Sequence, residues 1–338
     1  MQIQQNISLK DYNTFGIDAT AKSFATFQSF TQLDELVEYA KKSALQTLIL
    51  GGGSNVLFTN DFDGLVLRNE MKGIEVVAED EDFIYVRAAA GENWHEFVLY
   101  CIKNNYAGVE NLSLIPGNIG ASPMQNIGAY GVEIKEVFHA LTAYHIGERK
   151  EITFSASECE FGYRESVFKR KYKGQFVITT VTFKLNKKPV FNTSYGAIQQ
   201  ELDTMGVKEL SIAAISQAVI NIRLSKLPDP KKIGNAGSFF KNPAIPKAQF
   251  ENLQVRFSTI VGYPAKDNQV KVAAGWLIEQ CGWKGYRKGD AGCHKHQALV
   301  LVNYGKAKGF EVYNLSSEIL QSVEEKFGII LEREVNII

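Results

Sequence analysis

The sequence predicts a mixed α+β protein of more than one domain, and three observations carry that expectation. At 338 residues the chain exceeds one ordinary core, since a domain takes roughly 150 residues. Between residues 14 and 188, short β-branched runs alternate with glycine-rich turns, while helical periodicity is confined to a few stretches. Finally, KLPDPKK at 226–232 places two prolines with a single residue between them. That pattern removes backbone donors and predicts a boundary between folded units.

Taken in order, TLIL (47–50), LVLR (65–68), FIYVRAAA (83–90) and FVITTVTFKL (176–185) read as strands. Residues 93–104 set Trp94, Phe97, Val98, Cys101 and Ile102 at helical spacing, predicting a helix with one buried face. Beyond the prolines come helices around 270–281 and 315–327, a strand ALVLVN (298–303) and a final strand IILEREVNII (329–338). The later helix aligns Ile319, Leu320, Val323 and Phe327, and Gly328 supplies its C-terminal cap.

Charge narrows the classes of function. The 37 Lys and Arg balance 37 Asp and Glu, which argues against global capture of nucleic acid or of an anionic membrane and leaves small molecules as the expected partners. The amino terminus shows no leader pattern and no stretch offers the ~20 apolar residues of a membrane span, so a cytoplasmic location is expected. Cys101, Cys159, Cys281 and Cys293 form no CxxC pair. Reduced, buried thiols are expected of them, and no metal centre.

Six segments are candidates for chemistry. LGGGSN places Gly51, Gly52, Gly53, Ser54 and Asn55 directly after a strand, where backbone N–H groups can close around a pyrophosphate; a tight turn explains the glycines equally well. It is not GxGxxG, and no long helix follows, so a Rossmann fold is not expected. IPGNIGASPMQNIGAYG (115–131) interleaves Gly117, Gly120, Gly128 and Gly131 with Asn118, Ser122, Gln125 and Asn126. It suits a long polar ligand, or else forms a structural Ω-loop. FGYRES (161–166) flanks Arg164 with aromatic residues, giving either an anion-binding guanidinium or a surface ion pair. In GNAGSFFKNP (234–243), Ser238 is a poor nucleophile but a possible proton donor to a strongly basic carbanion. In CHKHQALVLVN (293–303), His294 and His296 alternate with Lys295, but the usual paired-ligand spacing for zinc is missing. In LEREV, Glu334 shares one face of an extended chain with Glu332 and has no local feature to separate it from a solvent-facing acid.

Together these segments resemble the UDP-N-acetylenolpyruvoylglucosamine reductases. The resemblance runs in order through NTFGI (13–17), LGGGSN, the IPG to GAYG stretch, FGYRES, SKLPDP (225–230), GSFFKNP, AAGWLIEQCGWKG (273–285), HQALVLVN and EREV. Each motif is weak alone; nine in register are specific and cover essentially the whole chain. Tyr195-Gly196 and the length are similar to the type I subclass, in which a tyrosine loop closes over substrate.

The resemblance implies an FAD-binding fold of the vanillyl-alcohol-oxidase (PCMH-type) kind with a separate C-terminal α+β substrate domain. It divides the chain into an FAD-binding region at 1–188, itself split near 70, a tyrosine-loop segment and linker at 189–227, a substrate domain at 228–328, and a terminal strand at 329–338 that returns to the flavin domain. It further implies ping-pong reduction of an enolpyruvyl UDP-sugar, with FAD as cofactor, NADPH as hydride donor and a monomeric enzyme. Arg164 and Glu334 match the residues that stabilise the enolate, and Ser238 matches the proton donor. The glycine loops match the FAD contacts. Tyr195, Lys226, Asn242, Tyr263, Lys284 and Gln297 fall where substrate is held. Another FAD oxidoreductase, or a nucleotide-sugar-binding protein without turnover, is the competing expectation.

Overall fold

The computed structural model describes residues 2–338, and its chain divides into two units, each assembled from discontinuous stretches. The first takes residues up to Ile7 with Ala21–Gly52 and Asp63–Ser225; the second takes Ser8–Thr20, Gly53–Phe62 and Lys226–Ile338.

In the first unit, a four-stranded sheet runs in the order Gln4–Ser8, Thr20–Phe27, Phe62–Asn69, Gln46–Leu50, and its last two strands are parallel. Helix α1 (Phe30–Lys42) is capped by the Ser29 hydroxyl, which accepts the Gln32 N–H. Its residues Leu33, Leu36, Val37 and Ala40 recur at helical spacing and share a core with Phe27, Leu65 and Leu67. A second sheet, antiparallel throughout, has the order Lys150–Ser155, Phe138–His145, Phe176–Asn186, Phe83–Ala89, Ile74–Glu79. Helix α2 (Trp94–Lys103) buries Trp94, Phe97, Val98 and Cys101 in the core of this sheet, where Phe97 lies 4.8 Å from Phe183 between ring centres. Each such side chain stabilises the unit by roughly 1.5–3 kcal/mol. Helices α3 (Gly196–Thr204) and α4 (Ile212–Lys226) pack together through Ile198, Leu202, Ile215, Val219 and Ile222.

The second unit holds a three-stranded antiparallel sheet, Ala244–Pro246, Gln269–Val272, Gly262–Pro264, against which α5 (Lys247–Arg256) lies. Helix α6 (Ala274–Gln280) meets α7 (Gly309–Phe327) through Trp276 and Phe327, 5.7 Å apart between ring centres. Helix α7 covers an antiparallel sheet ordered Gly234–Ser238, Val300–Asn303, Ala291–Cys293, Arg287–Lys288. Near the end of the chain, Asn336–Ile337 pairs in parallel with Val56–Leu57. Among the described residues no helix is long and apolar enough to cross a membrane.

The four strands expected before residue 188 and the helix at 93–104 are present within a few residues of their expected bounds. Three later expectations differ. The helix expected over 270–281 begins as the strand Gln269–Val272, because this stretch is the middle strand of its sheet, with Val270 opposite Ile245 on one side and Pro264 on the other, before α6 starts. The helix expected over 315–327 starts at Gly309, where the Glu311 carboxylate accepts the Lys308 N–H at 2.7 Å. The final strand contracts to Asn336–Ile337: the segment before it is also extended but bonds to a different neighbour.

Candidate active site

In the first unit, the parallel strand Gln46–Leu50 delivers the chain to Gly51 and Gly52. A Cβ on Gly52 would stand 2.8 Å from the Asn118 Oδ1 and 3.2 Å from the Gly117 Cα, so the two glycine loops singled out in the sequence lie against each other. The second loop is fastened at several points. Gly117 accepts the Trp94 backbone N–H at 3.0 Å, Gly120 donates to the Ala90 carbonyl at 2.9 Å, and the Asn118 side chain donates to the Gly91 carbonyl at 3.1 Å. Ser122 is buried with its hydroxyl donated to the Ile119 carbonyl. Asn126, also buried, has its amide committed to the loop: Nδ2 donates to Glu133 and to the Gly162 carbonyl, and Oδ1 accepts the Lys135 N–H. Gln125 lies on this same loop.

Asn126 thereby ties the QNIG turn to FGYRES. There, Gly162 and Glu165 exchange backbone hydrogen bonds around a two-residue loop, and Arg164 takes a left-handed backbone at φ 55°. The Arg164 Nη2 donates to the Gly128 carbonyl at 2.7 Å. Tyr195 sits at the start of α3, 43% exposed, its ring edge-on to Tyr130 with centres 5.2 Å apart. Arg223 on α4 donates to the Leu114 carbonyl at 3.2 Å and bonds the Tyr130 hydroxyl. Burial pushes the Arg223 pKa down, and the positive charge of Arg164 adds to that. Two guanidinium groups held near one another favour an anionic ligand.

In the second unit, NTFGI acts as a clasp. The Asn13 side chain bonds Leu9 and Ile17, closing a turn that leaves the Thr14 N–H to donate to the Gly53 carbonyl at 3.0 Å and its carbonyl to accept the Asn235 N–H at 2.9 Å. Gly53 has φ 61°, and a Cβ there would collide with the Tyr12 carbonyl, so only glycine fits. Ser238 ends the strand Gly234–Ser238, half-buried and opposite Val300. The next residue accepts the Glu334 N–H at 2.8 Å through the Phe239 carbonyl, so Ser238 and Glu334 stand on adjoining hydrogen-bonded segments. Asn55 reaches the same place: its Nδ2 donates to the Glu334 carbonyl at 3.3 Å, and its own carbonyl accepts from Asn336. Ser54 lies between Gly53 and Asn55. The Asn242 Oδ1 accepts the Ala274 N–H at the start of α6, and Gln297 Oε1 would lie 3.0 Å from a Cβ on Gly275 one residue further on.

Thus Gly53, Asn55, Ser238 and Glu334 are brought together in one unit, and Gly52, Gly117, Gly128 and Arg164 form a connected set in the other. Lys226, Tyr263 and Lys284 are distributed on three separate elements: the end of α4, the strand Gly262–Pro264, and the loop after α6, where Lys284 pairs with Glu279 at 2.8 Å. The Cys293 thiol donates to the Ala298 carbonyl and burial pushes its pKa up to about 12, while the His294 and His296 rings lie 5.5 Å apart.

Arg223 is not among the site residues expected from sequence, and Asn118 enters that reading only as one amide of the second glycine loop and not as a cofactor contact. Arg223 follows Val219 by four residues on the apolar stripe of α4, and a charge at a stripe position was the available signal. Apposed glycine loops edged with neutral amides fit a dinucleotide such as FAD, whose pyrophosphate needs close backbone approach.

Comparison with known proteins bears on the fold and the cofactor. Residues 229–338 match the family model for the C-terminal domain of UDP-N-acetylenolpyruvoylglucosamine reductase, and residues 21–146 match an FAD binding domain. Across its full length the chain is 52% identical to the UDP-N-acetylenolpyruvoylglucosamine reductase of Flavobacterium johnsoniae, over 100% of that protein. The reductase of Pseudomonas putida is 49% identical, with 99% of its length covered. Among solved structures, UDP-N-acetylenolpyruvylglucosamine reductase from Thermus caldophilus is similar with a TM-score of 0.68 at 22% identity, over 100% of this chain and 99% of that one. 6-Hydroxy-D-nicotine oxidase from Arthrobacter nicotinovorans gives a TM-score of 0.55 at 14% identity, over 97% of this chain and 86% of that one. At such identities the structural likeness concerns the fold: an FAD-binding α+β fold of the PCMH type with a separate C-terminal α+β domain.

Proposed function

This chain belongs to the UDP-N-acetylenolpyruvoylglucosamine reductase family, and from that premise we propose that it reduces the enolpyruvyl group of UDP-N-acetylenolpyruvoylglucosamine to give UDP-N-acetylmuramate. NADPH is the proposed electron source, the cytoplasm the proposed location and peptidoglycan precursor synthesis the proposed context, with the protein acting as a monomer. When bound, FAD supplies the hydride. The residues that would hold it are Gly51, Gly52, Gly53, Ser54 and Asn55 with Gly117, Gly120, Ser122, Gln125, Asn126 and Gly128. The first group offers backbone N–H donors, and Asn126 and Ser122 act by holding the second loop in shape.

The proposed chemistry follows from charge. Hydride addition to the terminal vinyl carbon leaves negative charge on the neighbouring carbon and its carboxylate. Arg164 stabilises that enolate with its guanidinium charge. Glu334 does so by sharing a proton, and Ser238 delivers the proton that completes the reduction. Lys226 and Lys284 oppose the carboxylate and diphosphate charges, and Tyr195, Asn242, Tyr263 and Gln297 orient the sugar nucleotide. The observation that carries this proposal is the 2.8 Å bond from the Glu334 N–H to the Phe239 carbonyl, which puts two of the three proposed catalytic residues on adjoining segments.

Ser238→Ala tests it. Anaerobic reduction of the flavin by NADPH is expected to proceed at nearly the wild-type rate, while reoxidation by the enolpyruvyl substrate slows about a hundredfold or more, the usual loss for one preorganised donor. Equal loss in both half-reactions would overturn the role of Ser238.

A further inference from the structure

The segment carrying Glu334 is anchored residue by residue. The Glu332 Oε1 lies 2.7 Å from the Lys241 Nζ, and the Glu332 carbonyl accepts the Lys241 N–H at 2.9 Å. Arg333 forms a backbone bridge with Phe240 and sends its side chain to α7. There its Nε donates to the Ser316 Oγ at 2.8 Å, its Nη2 donates to the Ser317 Oγ at 2.7 Å, and its guanidinium carbon stands 4.5 Å from the centre of the Tyr313 ring. Glu334 then donates its N–H to Phe239. In an extended chain, alternate residues face opposite sides, so the Lys241 and α7 anchors grip the segment from both.

Register is the physical issue. So short a pairing holds little register information of its own, and a slip of one residue turns every side chain to the other face. The side-chain anchors supply what the ladder lacks: Lys241 is 7% exposed and Ser316 is fully buried, while the Glu332 side chain that meets Lys241 is 70% exposed. Water competes poorly at Ser316, which makes the Arg333 anchor the stronger of the two.

We propose that Arg333 is a positioning residue for the reduction: by pegging the terminal segment to Ser316 and Ser317 it holds the register that presents Glu334 beside the Ser238 segment, with Lys241 as the opposing peg. The inference rests on the roles proposed above for Ser238 and Glu334. It makes α7, which supplies no group to the chemistry, part of the support for the catalytic acid.

The test uses the FAD-loaded enzyme. Flavin reduced anaerobically with dithionite is mixed with the enolpyruvyl sugar nucleotide, and its reoxidation is followed in Arg333→Ala, Ser316→Ala/Ser317→Ala, the combined variant and Glu334→Gln. Arg333→Ala is expected to slow reoxidation by about tenfold or more, as misplacement of a catalytic group does, and to leave flavin reduction by NADPH within about twofold of wild type. The serine pair is expected to slow the same step by a smaller factor, and the combined variant to be no slower than Arg333→Ala, because all three residues act through one anchor. Amide exchange at Glu334 and Lys241 should accelerate in Arg333→Ala, a readout independent of turnover. Wild-type reoxidation and exchange in Arg333→Ala, beside a slow Glu334→Gln, would overturn the positioning role alone; wild-type reoxidation in Glu334→Gln would overturn the catalytic assignment beneath it. If Arg333→Ala does not accumulate, the serine pair decides: a selective loss in reoxidation supports the peg and none overturns it.

Discussion

Gly52 shows how much can rest on a missing atom. Its backbone approaches Gly117 and Asn118 so closely that a Cβ would push the Asn118 side chain aside and crowd the Gly117 Cα, and a larger side chain would wedge between the two loops. Gly52→Val is therefore expected to yield a folded protein that purifies without yellow colour, checked by the flavin absorbance of the isolated protein against its melting temperature. Glycine clusters of this kind are legible in a sequence because few other residues meet the requirement. Arg164 and Ser238 stand out in the sequence only through the company of their motifs, and Arg223 only as a charge on the apolar stripe of α4, since its partners Leu114 and Tyr130 are about a hundred positions away. Asp34 is a further case. Arg149 grips its carboxylate at 2.8 and 2.6 Å and Tyr144 donates to it at 2.7 Å, which holds its pKa at about 2 against an ordinary 3.8. A carboxyl whose pKa is lowered by folding contributes stability in full above its unfolded value and loses it as the pH falls toward the folded one. Wild type should thus lose more stability than Asp34→Asn between pH 5 and pH 2, by about 1 kcal/mol after screening, measured by urea denaturation across that range.

At the level of elements, local pattern succeeded where one neighbour dominates. Helix α2 was readable because its stripe of Trp94, Phe97, Val98 and Cys101 meets a single sheet. The strand Gln269–Val272 was not, because its alternating valines run straight into α6 and blur the two periods. The last ten residues misled for another reason: Lys241, Phe239 and Asn55 each take a different part of the segment, so an extended chain there does not make one ladder. Capping is the cheapest place to test element-level stability. Ser29→Ala removes the hydroxyl that accepts the Gln32 N–H at the start of α1 and should cost about 1 kcal/mol, visible in thermal or chemical unfolding with no change in the flavin spectrum.

For the molecule as a whole, the absence of net charge left small ligands as the expected partners, and a ligand bound only by the folded form adds stability by mass action. Titrating FAD into the flavin-free protein should raise its melting temperature, by an amount equivalent to about 2.7 kcal/mol at a hundred times the dissociation constant; an unchanged melt would exclude tight binding. Chain order conceals the other global property. Residues 8–20 and 53–62, from near the start of the sequence, fold with everything after residue 226. Thr14 and Phe15 bond directly to Asn235 and Asn303 there, and Val56–Leu57 completes the pair with Asn336–Ile337. The proline-rich stretch looks like an ideal place for a protease nick or a subcloning boundary, yet a fragment beginning there would lack a strand and a clasp that no later residue replaces. Such a piece should show poorly dispersed amide resonances, and mixing it with the complementary fragment should restore them.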